Sequence, residues 1–194
     1  MSIFQLYLTL GLQHIADFKG YDHILFIIVL CAVYQLRHWK KILILITAFT
    51  LGHSTSLVLA TLDIVKLSGD WIEFLIPVTI LLTAIGNIFQ RKESYSIGHH
   101  KFKYGLALFY GLIHGLGFSN YLRALLSEED SLIGPLFSFN LGIEIGQIII
   151  VSGFLIAGLI IINLLKARPR EWNLVISGAG IGISLILIFE RLPF

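Results

Sequence analysis

Seven apolar stretches alternate along the chain with short polar loops. They cover residues 2–17, 21–36, 42–61, 71–90, 104–125, 135–165 and 171–190. Their apolar residues run continuously, without the period-two alternation of a membrane β-strand. A continuous apolar run of about 20 residues crosses a bilayer as an α-helix. The pattern therefore predicts an all-α membrane protein, one domain over residues 1–194 with a bundle of about seven transmembrane helices.

Two of the stretches depart from the usual length. Segment 2–17 is short for a crossing, so we expect a tilted helix or one that enters only part of the bilayer. Segment 135–165 is long, so we expect it to tilt or to extend beyond the membrane.

Basic residues concentrate in alternate loops. They are Arg37, Lys40, Lys41, Arg91, Lys92, Lys101, Lys103, Lys166, Arg168 and Arg170. Since basic loops stay in the cytoplasm, we expect a bacterial inner-membrane protein with a cytoplasmic N-terminus and a periplasmic C-terminus. If segment 2–17 does not span, the N-terminus changes side and the remaining helices keep their places.

Composition agrees with a membrane protein and excludes some partners. The chain is 56% hydrophobic and 13% charged, against about 25% charged in soluble domains. A net charge of +2 gives no reason to expect a nucleic-acid partner. Cys31 is the only cysteine and Met1 the only methionine, so soft ligands for a Cu(I) carrier are nearly absent.

Six ionisable residues fall inside or at the ends of the apolar segments. They are His14, Asp22, His23, His53, His114 and Glu144. Charged or titratable groups are costly in a bilayer and usually face the bundle interior. The expected topology places all six in the outer half of the membrane, so we predict that they converge on one divalent metal ion.

Imidazole and carboxylate ligands suit Ni, Co, Zn, Fe or Mn. Asp22 could bind the metal, cap the second helix or orient an imidazole. For His53 the alternative is a structural histidine bonded to a neighbouring helix. Glu144 could bind metal, carry a proton or pair with Arg123 at the outer end of segment 104–125.

Five further polar residues are candidates to orient the metal ligands or to line a path for the ion. They are Asp17, Ser54, Glu73, Asn140 and Gln147. Asn140, Glu144 and Gln147 have the spacing of one helix face, which would line a cavity. Asp17 could orient His14, but both Asp17 and Glu73 could equally be solvated charges at the interface.

The chain also shows a trace of internal repetition. Residues 11–18 resemble residues 111–118, with matching Gly, Leu, His and Phe. Segments one to three and five to seven could therefore be parallel repeats joined by segment four, a 3+1+3 arrangement known in transporters.

These motifs resemble those of the HupE/UreJ family of small bacterial membrane proteins over nearly the whole chain. The matching pieces are His14, Gly20-Tyr21-Asp22-His23-Ile24-Leu25-Phe26, Leu51-Gly52-His53-Ser54-Thr55, Glu73, residues 111–118 and residues 139–147. The resemblance implies uptake of nickel, or in some members cobalt, for hydrogenase or urease. It also implies metalloenzyme-assembly partners, and it leaves open whether the protein forms a homo-oligomer.

Three functions remain open from the residues. The first is a nickel or cobalt uptake permease. The second is an intramembrane zinc hydrolase that uses the same histidines, with Glu144 or Asp22 as general base. The third is a non-transporting, metal-stabilised accessory subunit.

Overall fold

The computed structural model describes residues 2–90, 97–126 and 131–193, and these ranges are helical without a strand. The helices are α1 (Ile3–Ile15), α2 (Asp22–Cys31), α3 (Trp39–Thr61), α4 (Gly69–Phe89), α5 (Ile97–Gly117), α6 (Ser119–Leu126), α7 (Ile133–Leu159) and α8 (Pro169–Glu190). A 3₁₀ turn, Leu36–His38, precedes α3, and a π-helical turn, Ile160–Leu164, extends α7. The all-helical prediction is confirmed. Of the predicted basic loops, Arg91 and Lys92 lie outside the described residues.

Within the described ranges, four helical stretches are long and apolar enough to cross a membrane: Leu36–Thr61, Gly69–Phe89, Ile133–Leu164 and Pro169–Glu190. The chain is therefore a multi-pass membrane protein. The stretch that contains α7 has 32 residues, or ~48 Å at the helical rise. As expected for the sixth segment, it is longer than a ~30 Å hydrocarbon core requires.

Other helices differ from the predicted segments. Helix α2 has only 10 residues, or ~15 Å, because tight backbone bonds from Ala32 to Val29 and from Tyr34 to Cys31 end it early. Segment 104–125 is divided at Phe118 into α5 and α6. The Ser119 hydroxyl caps this break by donating to the carbonyl of Leu116.

Helices α3 and α5 pack closely and run in the same direction. A Cβ on Gly52 would clash with the carbonyl of Leu108, and a Cβ on Gly111 would clash with the carbonyl of Phe49. Small residues spaced in this way let two membrane helices approach to backbone contact. Near the start of both helices, Lys41 Nζ lies 2.9 Å from His100 Nε2.

Helices α1 and α7 form a second glycine-packed pair, which is also parallel. Gly142 lies on the backbone of Leu8, and four residues later Gly146 lies against Leu12 and Ile15. The contact therefore advances along both helices together. The last turns of α7 line a cavity together with residues 34–37, which come just before α3 begins. The end of α7 therefore lies beside the start of α3, and the two helices run in opposite directions.

Helices α2, α4 and α8 complete the bundle. Asn87 near the end of α4 bonds to Asn173 near the start of α8, so these two helices are antiparallel. The Asn87 side chain also donates to the carbonyl of Val29, whereas Asp22 bonds to Arg191. Helix α2 therefore runs opposite to α8 and parallel to α4.

These contacts fix the relative directions of the chain segments. Helices α1 and α2 follow one another in the same direction, and α1 runs opposite to α5. The expected parallel repeat required α1 and α5 to run the same way, so the contacts do not support it. The residues Arg37, Lys41, Lys103, Lys166, Arg168 and Arg170 lie at one end of the bundle, here called the basic end, and both chain termini lie at the opposite end.

Candidate metal centre

Three histidines from three helices meet in the bundle interior. His14 lies in the last turn of α1, His23 in the first turn of α2, and His53 in α3 beside Gly52. One ring nitrogen from each lies within 4.8 Å of the other two. Nitrogens that share a tetrahedral metal at ~2.0–2.1 Å are roughly 3.3 Å apart, so a small side-chain movement would complete such a site. The interruption between α1 and α2 brings His14 and His23 together, with ring centroids 4.7 Å apart.

Four ring nitrogens of this cluster have no hydrogen-bond partner among the described residues. His53 has no exposed surface, and among the described residues neither of its nitrogens has a hydrogen-bond partner. The same holds for Nε2 of His14 and Nε2 of His23. A buried polar atom without a partner costs about 1–3 kcal/mol. The structural alternative for His53, a bond to a neighbouring helix, is absent from the described residues, and a cation would satisfy these atoms.

His114 lies beside the three histidines but outside the group that meets within 4.8 Å. Its ring centroid is 5.1 Å from that of His23, and it is fully buried. Its Nε2 lies 2.9 Å from Thr79 Oγ1, whose hydroxyl donates to the carbonyl of Ile76. The Thr79 oxygen then accepts from Nε2–H. This tautomer leaves the lone pair of His114 on Nδ1, which has no partner among the described residues.

Asp22 lies behind His23 and is held from the far end of the chain. Its Oδ1 is 3.2 Å from His23 Nδ1 and accepts from the His23 backbone N–H. Its Oδ2 accepts from the Arg191 guanidinium at 3.0 Å. With a proton on Nδ1, His23 has its lone pair on Nε2, the unpartnered atom. Of the three roles open to Asp22, the geometry matches the orientation of an imidazole.

Aromatic rings surround the histidines on several sides. Phe118 lies 4.1 Å from the His14 ring and stacks on Phe139. Phe26 and Phe49 lie 4.8 Å and 5.2 Å from the His114 ring. Such apolar walls lower the local dielectric, and so strengthen the interaction of any bound cation with its ligands.

Glu144 is not part of the three-histidine group. Its carboxylate accepts from the Thr47 hydroxyl at 2.6 Å. On the same α7 face, Gln147 is fully buried and its oxygen accepts from Thr50. Asn140 donates to the carbonyl of Leu136. Within the described ranges, Asn140 Oδ1 and Gln147 Nε2 have no hydrogen-bond partner. These side chains form a polar strip between α3 and α7.

The remaining residues proposed from the sequence, Asp17, Glu73 and Ser54, lie outside the three-histidine group. Asp17 is exposed and accepts from the backbone N–H of Lys19, so it supports the turn between α1 and α2. Glu73 is exposed in the first turns of α4. Ser54 is half-buried beside His53.

Sequence reasoning missed several partners of the candidates. Thr79 and Arg191 each lie far along the chain from the residue they contact, by 35 and 169 positions. Thr47 and Thr50 had one available signal, since they lie in the same apolar segment as His53 at spacings of one and two turns. No local pattern pointed to Arg191.

Comparisons with known proteins bear on the whole chain. The chain matches no curated protein and no solved structure. A family model described as HupE / UreJ protein matches residues 1–190. The matched range includes every candidate ligand and ends one residue before Arg191. The chain therefore belongs to the HupE/UreJ family.

Proposed function

We propose that the protein is a permease for a divalent transition metal, nickel or cobalt, in the bacterial inner membrane. Family membership implies a membrane protein related to metal transport. The observation that carries the proposal is the group formed by His14, His23 and His53, with unpartnered nitrogens inside an apolar bundle. Nδ1 of His114 would supply a fourth ligand. Imidazole nitrogens suit Ni²⁺ and Co²⁺, and also Zn²⁺.

Polar groups on both sides of the histidines support passage of an ion. Away from the basic end, a cavity of about 380 Å³ is lined by Leu116, two residues after His114, and by Asp63 and Ser119. In the other direction, Thr50 and Thr47 lie ~4.5 and ~9 Å from His53 along α3. Their partners Gln147 and Glu144 continue the polar strip toward the basic end. An ion would enter through the cavity and leave along this strip.

The same directions suggest the topology of the permease. Helix α1 has 13 residues and α2 has 10, or ~20 and ~15 Å, so each is too short for a ~30 Å core. We infer that the two make one interrupted crossing, as in transporters whose broken helices hold the ion site. The basic end would face the cytoplasm, and both termini the periplasm.

The two alternative functions gain less support. A hydrolase needs a carboxylate base beside a metal-bound water. Here Glu144 is bonded to Thr47, and Asp22 to His23 and Arg191. A purely structural site would be sealed within the bundle, whereas this group adjoins a polar strip between α3 and α7.

Metal accumulation in cells tests the proposal. Radioactive nickel or cobalt is measured in bacteria that express the wild type, His53→Ala or His38→Ala at equal levels in the membrane. His38 lies in the turn before α3, where its Nδ1 accepts from the Gln35 backbone, and serves as the matched control. We expect accumulation above the empty-vector level for the wild type and His38→Ala, and a loss of about tenfold or more for His53→Ala.

Equal accumulation in cells with and without the protein, for both metals, would contradict the permease. Equal uptake by wild type and His53→Ala would instead show that the histidine group is not part of the transport path.

A further inference from the structure

Two adjoining cavities open at the basic end, away from the histidines. They have volumes of about 280 and 190 Å³, and they share the lining residues Tyr34, Gln35, Ile162 and Trp172. The first extends to Arg168 and Arg170 at the start of α8. The second extends to Arg37 and to the apolar side of α7. The π-helical turn after α7 forms part of both walls, and such turns are frequent at functional sites.

The lining has two chemically different parts. Arg37, Arg168 and Arg170 give it positive charge, and no acidic residue is among the described residues that line either cavity. Glu171 lies near the rim, with its carboxylate 4.0 Å from Arg168 Nε. Arg170 is fixed by donating to the carbonyls of Ile88 and Gln90 at the end of α4, so its charge is held at the cavity wall.

The other part of the lining is apolar and continues onto the outside of the bundle. Phe154 stacks on Trp172, and Leu155 and Leu159 lie beside them. Exposed apolar side chains flank the opening, among them Leu36, Ile160 and Leu164. These are surfaces that a bilayer would cover, so the cavities lie where the hydrocarbon of the membrane meets its polar surface.

Tyr34 forms part of the wall that the two cavities share. The residue is 6% exposed, and its hydroxyl has no hydrogen-bond partner within the described parts of the chain. A buried hydroxyl without a partner is uncommon. The Lys103 ammonium lies 5.3 Å from the Tyr34 ring, which adds positive charge beside it.

We propose that these cavities bind an anionic phospholipid of the cytoplasmic leaflet. The phosphodiester lies between Arg37 and Arg168, and an acyl chain lies along Phe154 and Leu159. Basic pockets between membrane helices on the cytoplasmic side suit such headgroups. A soluble anion would use only the charged part, whereas a lipid uses both parts.

Native mass spectrometry of the full chain in a non-ionic detergent tests the site. Phosphatidylglycerol is compared with phosphatidylcholine of the same acyl chains, and glycerol 3-phosphate is added as a soluble headgroup. We expect phosphatidylglycerol to bind about tenfold more tightly than phosphatidylcholine, and glycerol 3-phosphate to leave this preference unchanged. We expect Arg37→Gln/Arg168→Gln, which removes two charges from the cavity lining, to abolish the preference.

The control is Lys40→Gln/Lys101→Gln, which removes the same charge at the same end from residues that do not line the cavities. An equal loss of the lipid preference in the control would show that anionic lipids are attracted to the basic end as a whole, and it would overturn the site. Equal binding of the two lipids to the wild type, or an unchanged preference in Arg37→Gln/Arg168→Gln, would overturn it as well. Displacement of the lipid by glycerol 3-phosphate would show an anion site without an acyl component, which also contradicts the proposal.

Discussion

His53 shows what the sequence could predict about single residues. Its depth in an apolar segment and its lack of a local partner predicted an interior position, and the structure buries it completely beside His14 and His23. The role of Glu144 was less predictable, because its partner depends on how α7 crosses α3. The sequence located a polar side chain on the correct face, but it could not show that Thr47 would bind it.

At the residue scale, a substitution of Arg191 tests whether this residue affects metal affinity through Asp22 and His23. Arg191→Gln removes the cation that holds Asp22, which in turn fixes the His23 ring. Loss of such an orienting partner typically lowers metal affinity by about 10–100-fold. Nickel titration of the purified protein should show this loss, with partial recovery in Arg191→Lys. Glu190→Gln, which removes an exposed charge from the neighbouring residue, should leave affinity unchanged.

The dependence of binding on pH follows from the ligand type. Each imidazole must be neutral to bind metal, so protons compete with the ion. We expect nickel affinity to fall as the pH is lowered into the range where these imidazoles take up protons, with protons released on binding in that range. Parallel titrations in buffers of different ionisation enthalpy would measure this release. Affinity independent of pH over that range would argue against imidazole ligands.

At the scale of whole helices, glycines set the position of the histidines. The spacing Gly111-x-x-x-Gly115 predicted close packing, and the structure shows it against α3. The matching contact of Gly142 with α1 could not be assigned from sequence, since several glycine pairs have similar spacing. The helix ends at Cys31 and Gly117 were also missed, because the apolar character continues beyond both residues.

Gly142→Leu tests this packing. A side chain there would meet the backbone of Leu8, and overpacking of this kind costs about 1–3 kcal/mol or more. Gly153→Leu is the matched control on the same helix, because a Cβ at Gly153 meets open space. Thermal unfolding in detergent should show a lower midpoint for Gly142→Leu alone. Equal midpoints for the two variants would contradict the close approach of α1 and α7.

At the scale of the molecule, the sequence predicted a helical membrane bundle with its basic loops at one end, but not the course of its first helices. Alternating loops suggested seven crossings, and the short first segment left the side of the N-terminus open. Contacts between α1 and α7, which are far apart in sequence, determine the direction of α1. The same long-range packing is the reason that the local match of residues 11–18 to residues 111–118 did not indicate a parallel repeat.

Single cysteines test the inferred topology in a Cys31→Ala background. A membrane-impermeant maleimide should label Ser2→Cys and Leu192→Cys from the same side of intact cells, because both termini lie at the same end of the bundle. Lys101→Cys, at the basic end, should react only after permeabilisation. Reaction of Ser2→Cys and Leu192→Cys from opposite sides would contradict this topology and support seven alternating crossings.

The most direct test of the central claim is the metal content of the purified protein after nickel loading and desalting, determined by elemental analysis. Wild type and His38→Ala should retain close to one equivalent that a chelator removes. His53→Ala should retain almost none, and His114→Ala should hold its metal about tenfold more weakly. Equal metal content in wild type and His53→Ala, or no metal in the loaded wild type, would contradict the histidine site on which this account of the protein depends.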